Sequence, residues 1–157
     1  MYYHVRMDPQ ILDRRLEVFR SRCAERGLSL THQRWVIYRF LAQTVQHPSP
    51  EVTFEQVRKD IPSISLATIY KNIKTFMEVG LLHQVSTPDH TMRLDANLEP
   101  HSHLICKRCG AIVDVPEESV APLQLKHPLP EGFRVENYKV SILGVCGQCS
   151  PPIIASN

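Results

Sequence analysis

Apolar residues in the first half of the chain recur at intervals of three and four, a period that predicts helices. In "DPQILDRRLEVFRSRCAERG", Leu12, Leu16, Phe19 and Cys23 fall on one face. Asp8 suits the cap, Pro9 the first helical position and Gly27 the stop. "LTHQRWVIYRFLAQTV" predicts a second helix, capped by Thr31, that buries Val36, Ile37, Phe40 and Leu41. "HPSP" breaks the pattern, and "TFEQVRKDI" predicts a short helix opened by Thr53. After the turn "PSIS", the stretch "LATIYKNIKTFMEVGLL" predicts a strong helix opened by Ser65, with Leu66, Ile69, Ile73 and Phe76 on its buried face. "LLHQVS" and "TMRLD" then alternate on either side of the turn signal "TPDH", which predicts a hairpin.

The second half changes period. "LICKRC" and "AIVDVP" predict strands around a CxxCG turn, and "FRVENYKVSILGVC" alternates long enough for a strand or a strand pair. "EESVAPLQLKH" predicts a short helix, interrupted early by Pro122. "SPPIIASN" closes the chain as a frayed end. The expectation is an α+β protein, an N-terminal winged helix-turn-helix followed by a small α/β dimerisation domain. Residues 1–92 form the DNA-binding domain with an N-terminal extension, in which His4 is a surface residue. Residues 93–98 form a hinge, 99–150 the dimerisation and metal-binding domain, and 151–157 a disordered tail.

Composition adds little. The chain has 157 residues, 43% hydrophobic and 22% charged, ordinary values for a soluble globular protein. No apolar run reaches the ~18 residues of a membrane span, and "MYYHVRMDPQ" lacks the pattern of a secretory signal, so a cytoplasmic location is expected. The net charge is +2, but residues 1–90 hold 12 Lys/Arg against 9 Asp/Glu, and the remainder 6 against 7. The positive excess therefore lies in the predicted DNA-binding half.

On the helix over 65–78, Ala67, Thr68, Tyr70, Lys71, Lys74 and Thr75 project away from the buried face. Lysines neutralise phosphates, and tyrosine, threonine and alanine contact base edges and thymine methyls, so this surface suits a major groove. His32, Gln33 and Arg34, opening the second helix, are candidate backbone contacts. Arg93 is a phosphate contact or an interdomain anchor. One helix-turn-helix reads one short half-site, so a homodimer on a palindromic double-stranded DNA operator is expected.

Four of the five cysteines form two CxxC pairs, Cys106/Cys109 and Cys146/Cys149, with Gly110 and Gly147 relaxing the backbone beside them. Four thiolates complete a closed tetrahedral zinc site; a redox-active dithiol pair is the competing use. Cys23 reads as a buried thiol. His101 and His103, an HxH in an extended segment, present both rings to one side. With Asp95 upstream and Asp114 downstream they suggest a nitrogen and oxygen site, which suits Fe2+ or Mn2+ better than a thiolate site does. His47 on its own reads as a surface histidine. HExxH and a nucleophile elbow are both lacking, and nothing calls for an organic cofactor, so no enzyme is expected.

"PSISLATIYKNIKTF", the HxH before "CKRCG", the second "CGQC" and the "HP" after the second helix together resemble the ferric uptake regulator family over roughly residues 10–150. The resemblance implies a homodimeric metal-dependent repressor and is nearest the peroxide-sensing branch. It implies a regulatory metal held by His47, Asp95, His101, His103 and Asp114, and a structural zinc held by the four paired cysteines. It also implies that His47 and His101 are the oxidation-sensitive residues, at positions resembling those that become 2-oxo-histidine. A repressor that senses iron availability without peroxide is the alternative. Pro100 and Ser102 depart from the histidine-rich run of many iron sensors, and no further site of that type is expected.

Overall fold

The computed structural model describes residues 7–150; the extension with His4 and the tail 151–157 lie outside the described residues. The chain divides into two compact units, one ending at Glu99 and the other starting at Pro100.

The first unit is a four-helix bundle closed by a hairpin: α1 (Pro9–Glu25), α2 (His32–Gln43), α3 (Pro50–Val57), α4 (Leu66–Glu78), β1 (His83–Val85) and β2 (Arg93–Asp95). Each helix begins at a side-chain cap: Asp8, Thr31, Ser49 and Ser65 accept from the backbone N–H groups of Gln10, Arg34, Val52 and Thr68. The third helix starts three residues before the expected Thr53. Ser49 followed by Pro50 is the stronger start, because it supplies both a cap and a proline at the first helical position. Thr53 is instead buried and donates its hydroxyl to the Ser49 carbonyl at 2.9 Å. Gly27 and Gly80, at φ +62° and +73°, end α1 and α4 in left-handed turns. The following Leu28 and Leu81 donate back to the carbonyls of Cys23 and Phe76.

The core centres on stacked rings. Phe19 and Tyr38 lie 4.4 Å apart with planes at 9°, and Phe76 meets both edge-on at 5.8 and 5.5 Å. Ile37, Leu41, Ile69, Ile73, Leu81, Leu82 and Leu94 fill in around them. Cys23 is fully buried, and burial raises its thiol pKa. In α2 two expected core residues differ: Val36 and Phe40 are only partly buried, while Tyr38 and Ala42 take the centre of its face. Leu66, expected inside, is 37% exposed, one turn too early in α4 to reach the core.

β1 and β2 pair antiparallel, His83 opposite Asp95 and Val85 opposite Arg93. The α3–turn–α4 pair followed by this hairpin is winged-helix-like. Arg93–Asp95, which the sequence places both in the hairpin strand "TMRLD" and at the start of the hinge, is strand β2 of the hairpin.

The second unit is a three-stranded sheet in the order β4-β3-β5, built from β3 (His101–Cys106), β4 (Ile112–Pro116) and β5 (Ser141–Gly144). β3 pairs antiparallel with β4 and parallel with β5. The long alternating segment 133–146 pairs only over β5. The helix expected over 117–127 does not form; a 3-10 turn at Glu117–Ser119 stands in its place. Pro122 breaks a helix so early, and Pro128 and Pro130 follow at once. Leu123 and Leu125 are more than half exposed, with no surface to anchor an apolar face. The unit is therefore β-rich rather than α/β. Among the described residues its buried apolar side chains are Ile105, Cys106 and Ile112.

Candidate metal centres and DNA-facing helix

The cysteine site is built on two backbone turns. After β3, Gly110 N–H returns to the Cys106 carbonyl at 2.9 Å, with Gly110 at φ +70°. After β5, Cys149 and Ser150 N–H groups both return to the Cys146 carbonyl, at 3.0 and 2.9 Å. Gly147 needs no left-handed conformation there. The parallel β3/β5 register, which sets Cys106 opposite Gly144, brings the two turns together. One sulfur from each of the four cysteines lies within 4.8 Å of every other. The Cys109 and Cys146 sulfurs are 3.7 Å apart and unbonded. Four thiolates at ~2.3 Å from one tetrahedral zinc stand about 3.8 Å from each other, so the spacing fits that ion.

The electrostatics agree. Backbone N–H groups, first that of Cys146 and then that of Cys109, hold the Cys106 thiol down at about 6. Hydrogen bonding to the Cys109 and Cys146 sulfurs pushes Cys149 up to about 12. The last thiol thus resists ionisation among its neighbours, and a divalent cation at the centre would supply the missing charge.

Nitrogen and oxygen donors occur in both units. In the second, His101 and His103 share one side of β3, and the β3/β4 register sets Asp114 directly opposite His103. The two Nε2 atoms are 3.0 Å apart, and Asp114 Oδ1 lies 3.7 Å from His101 Nε2 and 3.5 Å from His103 Nε2. Two ligands at right angles on an ion ~2.1 Å away stand about 3.0 Å apart, which the imidazole pair matches. In the first unit His47 and Asp95 are both buried, with Nε2 and Oδ2 3.9 Å apart. The other Asp95 oxygen accepts from Asn97 N–H at 2.7 Å. His47 is therefore no surface histidine, as its isolation in the sequence suggests, but one buried beside a carboxylate.

On α4, Ala67, Tyr70, Lys71 and Lys74 are exposed, while Thr68 is half-buried, its hydroxyl 2.9 Å from that of Ser65. The Tyr70 hydroxyl donates to the Glu51 carboxylate of α3, which lowers the carboxyl pKa and raises the phenol. Glu51 is a residue the sequence pattern does not single out. His32 is exposed, and Arg34 donates to the Ser29 carbonyl at 2.6 Å. Arg93 donates to the carbonyls of His47 and Gln46, within its own unit. No helix among the described residues is long and apolar enough to cross a membrane.

A winged-helix-like unit followed by a small sheet with a four-cysteine cluster and a histidine–carboxylate cluster defines a class of metal-responsive regulators. The ferric uptake regulator family model matches residues 25–143, and the chain belongs to that family. It is 30% identical over 138 residues to the peroxide-responsive repressor PerR of Staphylococcus aureus, covering 88% of this chain and 93% of that protein. Its fold is similar to the Helicobacter pylori ferric uptake regulator Fur, whose structure has three functional metal-binding sites. There the TM-score is 0.68 at 20% identity, covering 92% of this chain and 95% of that one. It is also similar to the Campylobacter jejuni peroxide stress regulator, with a TM-score of 0.60 at 24% identity over 85% of this chain and 98% of that one. Proteins of this family are regulators, and this chain is not an enzyme.

Proposed function

We propose that the protein is a homodimeric, metal-gated transcriptional repressor that senses hydrogen peroxide. The carrying observation is the separation of donor chemistries: four sulfurs in one cluster, only nitrogen and oxygen in the others. The sulfur set is closed and suits zinc, which staples the ends of a sheet with little core of its own. His47 and Asp95 of the first unit, with His101, His103 and Asp114 of the second, would together hold a single Fe2+ or Mn2+. Neither group alone supplies enough ligands for a six-coordinate ion. An ion shared between the units favours the arrangement that binds DNA, and its loss releases it.

The α3–turn–α4 pair and its hairpin serve as the winged helix-turn-helix. Tyr70, Lys71 and Lys74, with Ala67 and Thr68, would meet the major groove, and His32 and Arg34 the backbone. The exposed apolar residues of the second unit, among them Leu104, Val113, Ile142 and Phe133, support dimerisation there, the second copy covering them. Residues 96–98 act as the connection between DNA-binding and dimerisation domains. A repressor that works on an operator works in the cytoplasm, the location expected from the sequence.

Ferrous iron held by these residues would supply one-electron reduction of peroxide, and so an oxidant beside its ligands. Imidazole rings are oxidised there more readily than carboxylates, and of the three histidines His47 and His101 stand at the positions that the family resemblance marks as oxidation-sensitive. A ring that has gained oxygen is a poorer ligand, so the protein loses its metal and its operator. The similarity to peroxide-responsive repressors supports this branch over a sensor of iron availability. The test treats the iron and manganese forms with low peroxide and compares operator binding and peptide masses. The expected result is one added oxygen on the His47 or His101 peptide, with loss of DNA binding only in the iron form. Unmodified histidines on an iron form that stays bound would transfer the reading to iron availability.

A further inference from the structure

His47 sits in the left-handed backbone region, at φ +49°. That region is uncommon for a residue carrying Cβ, although histidine enters it more readily than most, as exposed His90 does at φ +57°. At His47 strand β2 holds the turn through hydrogen bonds. Arg93 Nε donates to the His47 carbonyl at 2.5 Å, and Nη2 to the Gln46 carbonyl at 3.2 Å. Leu94 N–H donates to the Pro48 carbonyl at 3.0 Å. Three successive carbonyls are thus held by two successive residues of one strand. The next residue, Asp95, turns its carboxylate to the His47 ring.

We infer that Arg93 is a positioning residue for the regulatory metal: its guanidinium fixes the left-handed turn at His47, which holds the imidazole beside Asp95 in a pose that can bind an ion. The inference rests on the five-ligand reading above. A planar fork spans two carbonyls at once, whereas a lysine ammonium is a point donor. Because β2 also pairs with β1, the strand that sets the ligand turn is a strand of the wing itself. Loading the site and ordering the wing become one event.

The sign of the effect separates this role from simple electrostatics. Arg93 is a cation two residues from a proposed ligand, so by charge alone its removal would tighten binding of a second cation. A positioning role predicts the opposite. The experiment uses the full-length, zinc-loaded chain and its Arg93→Met, Arg93→Lys and His47→Ala variants. Mn2+ affinity is read from the electron paramagnetic resonance of free Mn2+, and zinc content and thermal unfolding are followed in parallel. Arg93→Met should bind Mn2+ at least about tenfold more weakly, as changes in outer-shell partners generally do, and Arg93→Lys should fall between it and the wild type. Zinc content should not change. Mn2+ binding by Arg93→Met that equals or exceeds the wild type would overturn the role. If Arg93→Met fails to fold, Arg93→Lys decides: weakened binding supports the role, and wild-type binding overturns it. A wild type that binds no more Mn2+ than His47→Ala would overturn the metal reading itself, a result distinct from the others.

Discussion

The two units solve the problem of stability by opposite means. The first stacks Phe19 on Tyr38, closes Phe76 over both, and surrounds them with fully buried aliphatic side chains from α2, α4 and the hairpin. The second buries Ile105, Ile112 and Cys106 and leaves most of its large apolar side chains exposed. A unit of under about 60 residues with so thin an interior is below what a hydrophobic core alone sustains. On the proposed reading its order comes from the zinc that its cysteines would bind and from the second copy that would cover its exposed side chains. A fold whose stability is lent by ligands is suited to respond to them, and one with its own core is suited to present a rigid surface to DNA.

Breaking the cysteine cluster should have the largest effect. Structural zinc in small domains contributes on the order of 10 kcal/mol to folding. Cys149→Ser, or extraction of zinc by a strong chelator, should therefore unfold the second unit and dissociate the dimer. Far-ultraviolet circular dichroism should retain the helical signal of the first unit. Loss of the helices together with the sheet would show that the first unit does not stand by itself.

A pair of substitutions in the aromatic cluster probes the other half and should have smaller effects. Phe76→Ala removes a fully buried ring and should lower stability by about 3–5 kcal/mol while leaving zinc bound. Tyr38→Phe should do no harm. The Tyr38 hydroxyl is buried without a hydrogen-bond partner among the described residues, and burial pushes its pKa up to about 12. Deleting it should leave stability unchanged or raise it by up to about 1 kcal/mol. Denaturant titration reads both; a Tyr38→Phe protein destabilised like Phe76→Ala would mean that the hydroxyl is satisfied in solution.

The two halves also differ in how plainly their sequences speak. Helices α1, α2 and α4 are legible because cap and apolar period agree in each, and glycine stops close α1 and α4. The start of α3 is not, because Thr53 and Ser49 are both residues that cap helices, and it takes the proline after Ser49 to settle the earlier start. In the second unit alternation extends over 133–146, but β3 offers six residues to pair with, so most of that pattern has no partner strand. The sulfur cluster follows from spacing, since each CxxC must close a turn. His101, His103 and Asp114 follow from alternation and a tight connection that sets their register. The pairing of His47 with Asp95 has no local signature, because the two residues meet only through tertiary packing. The same holds for Arg93 on the His47 carbonyl and for Glu51 under Tyr70, contacts between residues 46 and 19 positions apart in the chain.

The most direct test of the central claim, that the nitrogen and oxygen donors form a gate distinct from the zinc staple, is operator affinity measured with and without added Mn2+ while zinc stays bound. The account predicts tight operator binding only with Mn2+, and no Mn2+ dependence in a His47→Ala protein that keeps its zinc and its dimer. Equal operator affinity of the wild type in the two conditions would contradict it.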